Sequence, residues 1–219
     1  MPEPRSFVLW GASGHARVLA DVIGLHGGRV TALFDNDASV SACLPGVPVL
    51  HGERALRDWA SRQPFLHTMA AGVAIGGARG ADRIAIAALL RSVGLTLPII
   101  VHPTASISGT VRIGDGCHVL ANAVVAADAD LGEMTIVNNG AVVDHECRLG
   151  HGVHVAPGAT LCGCVQVEDE VLIGAGAVVL PRLRIGRGAV VGAGAVVTRD
   201  VPAGAVMVGQ PARRQDAHD

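Results

Sequence analysis

The segment Asn138-Asn139-Gly140-Ala141-Val142-Val143-Asp144-His145-Glu146-Cys147-Arg148-Leu149-Gly150 places one histidine between two carboxylates. A carboxylate beside an imidazole orients the ring and keeps it basic enough to take a proton near neutral pH, which is the chemistry of a general base. Val143 and Cys147 fall in columns of apolar and small residues that point inward, so His145 is left to project outward at a corner. The competing reading is a solvated surface histidine, one of ten in the chain.

The corner belongs to a repeat. Steps of six from Ile107 reach Ile113, Val119, Val125, Leu131, Val137, Val143, Leu149, Val155, Leu161, Val167, Ile173, Val179, Ile185, Val191 and Val197 without an insertion. Chance agreement of that column is on the order of one in a billion, so it is an internal repeat. Two residues before each lies a second column, mostly small, including Cys117, Ala123, Ala129, Thr135, Ala141 and Cys147. A period of six matches neither an α-helix nor a coiled coil. It describes short parallel strands, each with one large and one small inward side chain, wound as a triangular coil of eighteen residues per turn and buried only by its neighbours. The segment supplies roughly five coils. Gly114, Gly132, Gly150, Gly174, Gly186 and Gly192 follow the large column, where tight turns are expected to need them.

The first hundred residues read differently. Ser6–Trp10 reads as a strand, and Gly11-Ala12-Ser13-Gly14-His15 as a glycine turn. A helical pattern runs through Val18, Leu19, Val22 and Ile23, and a second strand, Val30–Phe34, leads into Asp35. A short strand ends the turn at 45–49, helices are expected over 56–61 and 83–93, and a strand over 68–75. Strand, glycine turn, helix and strand open a nucleotide-binding α/β unit, in which ligands sit at strand ends. Asp35 is placed to accept hydrogen bonds from a base or ribose, or to cap its own turn. The expected organisation is a Rossmann-like domain over residues 1–100 and a β-helix over 101–219.

Composition narrows the class. Half of the 219 residues are hydrophobic but aromatics are only 2%, so the core is aliphatic. A net charge of -2 with 16% charged residues argues against nucleic acid as a partner. No apolar run approaches a membrane span, and Met1-Pro-Glu-Pro-Arg-Ser leads into a strand rather than an export signal. Five cysteines without a paired motif suit reduced thiols and a cytoplasmic protein.

Several motifs together resemble the PglD/NeuD-like sugar acyltransferases: Gly11-Ala12-Ser13-Gly14-His15, Phe34-Asp35, Val73-Ala74-Ile75-Gly76, Val101-His102-Pro103-Thr104-Ala105, Val143-Asp144-His145-Glu146-Cys147 and Val208-Gly209-Gln210-Pro211-Ala212. The resemblance covers nearly the whole chain and implies hexapeptide repeats wound as a left-handed parallel β-helix. It implies an acetyl-CoA-dependent transfer to the amino group of a nucleotide-linked amino (dideoxy)sugar, with sialic acid or other sugar O-acetylation as the alternative. His145 would be the general base, assisted by Glu146. Gly14, His15, Asp35, Gly76 and Asn138 would face the nucleotide sugar, and His154, Gly163, Ala175 and Ala193 the acetyl-CoA. No metal is implied, and the assembly is a homotrimer. Gly77 and Asn139 depart from the family pattern, and the loop Gly77–Asp82 is longer than usual, all where the sugar nucleotide would be read.

Residues eighteen apart stack, so Ala127, His145, Gly163 and Pro181 share a column, and the Gly163 N–H is placed to hold a thioester carbonyl. His154, half a coil from His145, lies on another side of the prism, so the two can meet only across subunits. Cys117 and Cys147 read as packing, Cys162 and Cys164 as too close for a zinc knuckle, and His118 and His151 as surface. Two other classes remain: a metalloenzyme of the γ-carbonic-anhydrase type, whose usual pair of histidines five apart is missing from His145, His151 and His154, and a non-enzymatic scaffold or sugar-nucleotide sensor, which would not need His145 between acids.

Overall fold

The computed structural model describes residues 6–215; Met1–Arg5 and residues 216–219, the outer ends of the two expected units, lie outside them. The front unit is a four-stranded parallel sheet in the order β3-β2-β1-β4, built from β1 (Ser6–Trp10), β2 (Arg29–Asp35), β3 (Val49–His51) and β4 (Met69–Val73). Three helices, α1 (Gly14–Leu25), α2 (Gly52–Ala60) and α3 (Gly80–Ser92), connect or follow the strands. Every Phe and Trp of the chain lies in this unit. Trp10 stacks on Phe34 at 5.9 Å, and Phe34 meets the edge of Trp59 at 5.5 Å.

From Ile100–Val101 onward the chain winds as a parallel β-helix with three faces. One face carries outward Arg112, Asp130, Arg148, Gln166 and Arg184. The second carries Ser106, Val124, Val142, Thr160, Val178 and Val196. The third carries Ile100, His118, Ile136, His154, Leu172, Val190 and Val206. Within the regular part each strand pairs with the strand eighteen residues later, as Asp130 does with Arg148. The coil extends one strand beyond the expected column at each end: Ile100–Val101 opens it, and Val206–Val208 closes it after a step of sixteen from Val190, covered by antiparallel Arg213–Arg214. Its core is wholly aliphatic apart from Cys117, Cys147, Met207 and small side chains, all nearly free of solvent.

The glycines of the coil require a correction. Those following the large column do not adopt left-handed backbone. The left-handed position lies two residues further on, recurring every six residues from Gly116 to Gly194. It includes Asn122, Asp128, Met134, Glu146, Cys164, Glu170 and Arg182, at φ between 56 and 64°. Gly114, Gly132 and Gly174 are small for another reason: a Cβ there would lie 2.6 Å from backbone of the next coil. They set how closely turns stack, not how sharply they turn.

Candidate active site

His145 and Glu146 lie at the corner between Val142–Val143 and Arg148–Leu149, both exposed. Asp144 Oδ1 accepts the His145 N–H at 2.7 Å, fixing the corner backbone. Glu146 takes the left-handed conformation at φ 57°, and its Oε2 lies 3.1 Å from His145 Nδ1. The hydrogen bond from His145, and then that from Cys164, hold the Glu146 carboxyl below its ordinary value, so it stays ionised. An ionised acceptor at Nδ1 puts the ring proton there and leaves Nε2 free to accept one. Nε2 lies over Gly163 one coil along. A Cβ at Gly163 would stand 2.6 Å from Cε1 and closer still to Nε2, so only glycine admits the ring in this pose. The Gly163 carbonyl accepts from Arg182 at 3.0 Å, while its N–H has no acceptor among the described residues.

A second cluster lies where the front unit meets the third face of the coil. Ser13, His15, Asp35, Asn36, Gly76 and Arg79 line a cleft at the strand ends. Asp35 is already employed there. Oδ2 accepts the Ala12 N–H and Oδ1 the Asp37 N–H, each at 3.0 Å, which ties the glycine turn to the loop after β2. Behind the cleft, His154 Nδ1 accepts the Gly77 N–H at 2.9 Å, and Nε2 faces the Asn138 carboxamide at 3.1 Å. His15 Nε2 lies 3.4 Å from His118 Nδ1. Burial, reinforced by nearby Arg83, lowers the His15 and His154 rings to about 4, and burial pushes His118 well below its ordinary value. All three rings are neutral near pH 7.

The coil face carrying His118 corrects one sequence reading. His118 is not a surface residue: it points out of the prism but under the front unit, 1% exposed, and its Nε2 has no partner among the described residues. Arg83 was legible only as a position in an amphipathic helix. It is fully buried, donating from Nε to Met134 O at 3.2 Å, from Nη1 to Ile75 O at 3.2 Å, and from Nη2 to Gly152 O. Its desolvation, only partly offset by Asp82, lowers it to about 10. A single guanidinium thus joins the front sheet to two coils; an arginine at the start of a helix otherwise apolar on that side was the available signal. His151 is exposed, as expected, and its Nδ1 accepts the Glu133 N–H.

The expected site residues fall into three groups. Gly14, His15, Asp35 and Gly76 lie around the front cleft, with Asn138 and His154 adjoining it. His145, Glu146 and Gly163 share the corner at one edge of the valine-rich face. Ala175 and Ala193, both exposed, occupy the corner at its other edge. One chain does not bring the last two groups together. Buried Cys117 and Cys147 donate to the carbonyls of Gly132 and Cys162, and burial raises their thiols to about 12 and about 11. Cys164, by contrast, reaches the active corner, its thiol donating to Glu146 Oε2 at 3.6 Å.

Comparison with known proteins bears on this arrangement. Residues 6–85 match the PglD N-terminal domain and residues 164–199 the bacterial transferase hexapeptide family. Comparison with the curated proteins gives no match. Among solved structures, PerB from Caulobacter crescentus, in complex with CoA and GDP-perosamine, is 35% identical over 96% of this chain and 97% of its own, with a TM-score of 0.86. The acetyltransferase domain of PglB from Neisseria gonorrhoeae FA1090, in complex with acetyl coenzyme A, is 33% identical over 96% and 99%, with a TM-score of 0.84. WeeI from Acinetobacter baumannii AYE is 30% identical over 95% and 99%, with a TM-score of 0.85. With a matching front domain, a matching left-handed hexapeptide coil and end-to-end similarity to these structures, the chain belongs to the PglD/NeuD-like family of sugar acyltransferases.

Proposed function

We propose that the protein transfers the acetyl group of acetyl-CoA to the amino group of a nucleotide-linked amino sugar. The observation that carries this reading is the His145–Glu146 pair over Gly163, in a chain 35% identical end to end to an enzyme crystallised with CoA and GDP-perosamine. His145 Nε2 takes the amine proton as the nitrogen attacks the thioester carbonyl. The developing oxyanion is met by the Gly163 N–H. The C–S bond then breaks, and the proton passes to the leaving CoA thiolate. No acyl-enzyme is needed: burial raises the Cys117 and Cys147 thiols, and desolvation, then the Glu146 charge, raises that of Cys164.

Residues 1–100 hold the nucleotide sugar in this reading, with the cleft at Gly14, His15, Asp35 and Gly76 receiving the nucleotide and Asn138 near the sugar. Residues 101–219 carry the acetyl transfer. Three chains associate through the valine-rich face, and His154, Gly163, Ala175 and Ala193 contact acetyl-CoA. The test is release of free CoA from acetyl-CoA across a panel of nucleotide-linked amino sugars and their hydroxyl counterparts. Turnover on an amino sugar with formation of an amide supports the reading. Turnover only on hydroxyl acceptors would replace it with O-acetylation, and no turnover on either would sink it.

A further inference from the structure

His145, Glu146 and Cys164 bring three different donor atoms to one exposed point. His145 Nδ1 and Glu146 Oε2 are 3.1 Å apart, Cys164 Sγ and Glu146 Oε2 are 3.6 Å apart, and one ligand atom from each of the three residues lies within 4.8 Å of the others. These separations can be compared with a metal's demands. Zinc bonds of about 2.0–2.2 Å to nitrogen or oxygen and about 2.3 Å to sulfur give tetrahedral edges of about 3.3 Å between N and O and about 3.6 Å between O and S. Two edges are therefore already near the size required. The third, from sulfur to nitrogen, closes by side-chain rotation at an exposed corner. Imidazole, carboxylate and thiolate together suit a borderline-soft divalent ion, not magnesium or calcium. The repeat explains why the donors converge: Cys164 stands eighteen residues after Glu146, both in the left-handed position.

We propose that this corner binds one Zn²⁺-class cation per chain through His145 Nδ1, Glu146 Oε2 and Cys164 Sγ, leaving a fourth position for water, and that the bound cation turns the enzyme off. The thiol proton leaves to solvent as sulfur bonds the metal. The metal takes the Nδ1 lone pair and engages Glu146, so the proton that Nδ1 carried passes to Nε2 and the ring stays neutral. Nε2 then cannot accept the acceptor's proton. The inhibitory half rests on His145 being the base; the binding half does not.

The experiment uses chelator-treated full-length protein, titrated first with Co²⁺ alone and then with Zn²⁺ alone. Cobalt should produce a thiolate charge-transfer band in the near ultraviolet, saturating at one ion per chain, and zinc should displace it. Cys164→Ala and Cys164→Gly should lose the band although Cys43 and Cys162 remain; glycine suits the φ of 62°, so this variant keeps the fold. Measured against each variant's own activity in chelator, whatever its level, zinc inhibition should weaken at least about tenfold, as expected for loss of one of three ligands. A parent chain without the band, a band that survives in both variants, or zinc inhibition unchanged by them would overturn the proposal. Acetyl transfer without a cobalt band leaves the catalytic reading standing and removes the metal site; the band without acetyl transfer does the reverse.

Discussion

At the scale of single residues, the corner has two requirements that mutation separates. In the proposed mechanism His145 supplies the proton acceptor, so His145→Ala should lower kcat by about 10²–10⁴, the range for loss of a general base; a loss under threefold would remove it from that role. Gly163 supplies room. In Gly163→Ala the new methyl occupies the place of the His145 ring, so the ring must swing away while the fold, built on inward columns, remains. Displacement of a reacting group by about 1 Å costs on the order of 10²-fold, so kcat should fall by that much with an unchanged melting temperature. Wild-type kcat in Gly163→Ala would show that the ring works in another pose. Asp35 is a different case, because its carboxylate already holds two backbone N–H groups. Asp35→Ala should raise KM for the nucleotide sugar and leave KM for acetyl-CoA alone; the reverse pattern would reassign the front cleft. It should also loosen the glycine turn, by about 1–3 kcal/mol for backbone donors left unpaired.

At the scale of elements, the seam between α3, the front sheet and the coil is held by neutral histidines around a buried arginine. The sign of its pH dependence follows from where the rings titrate. Unfolded histidines take up protons near 6.5, whereas His15 and His154 do so only at about 4 and burial holds His118 well below the unfolded value. Between those values the unfolded chain binds more protons, so the stability is present in full above the unfolded value and drains away as pH falls from about 6.5 toward 4. Each ring kept neutral contributes a slope of about 1.4 kcal/mol per pH unit in that window. Denaturant unfolding at pH 6.5, 6.0 and 5.5 reads this before carboxylates titrate; a flat profile would show that the rings are not kept neutral in solution. The same seam marks where the sequence stopped being legible. A strict period of six determines which side chains point into the prism, and Val143, Cys147 and Leu161 are buried as the columns require. The period says nothing about what covers the outside, so His118 read as surface. It also hid the left-handed position, because Gly116 or Gly140 there advertises the turn while Met134, Glu146 and Cys164 do not. The partners of Arg83 were hidden for a related reason: Met134 O, Ile75 O and Gly152 O are carbonyls that carry no residue identity.

At the scale of the whole molecule, the three faces of the coil have three environments. The face of Arg112, Asp130, Arg148 and Arg184 is charged and suits water, with Arg112 and Asp130 paired at 2.7 Å. The face of His118, Ile136 and His154 is covered by the front unit. The face of Val124, Val142, Val178 and Val196 is apolar, flat and only half-buried, a surface that calls for a partner. His145 and Gly163 stand at one edge of that face, and Ala175 and Ala193 at the other. In the proposed trimer, a three-fold arrangement about the valine-rich face would set the first edge of one chain against the second edge of its neighbour, so each active site would draw on two chains. Complementation tests this without disturbing the seam that His154 helps hold. His145→Ala removes the base, and Ala175→Trp fills the exposed corner expected to receive acetyl-CoA. Each homotrimer should be inactive. After subunit exchange at equal amounts, a site works only where an Ala175→Trp chain supplies His145 and its neighbour an intact Ala175, which random association provides in about a quarter of sites. Activity near that fraction of the unmodified protein would establish sites shared between chains. If exchange is proven and activity never rises above the two parents, the site lies within one chain, and the valine-rich face has some other partner.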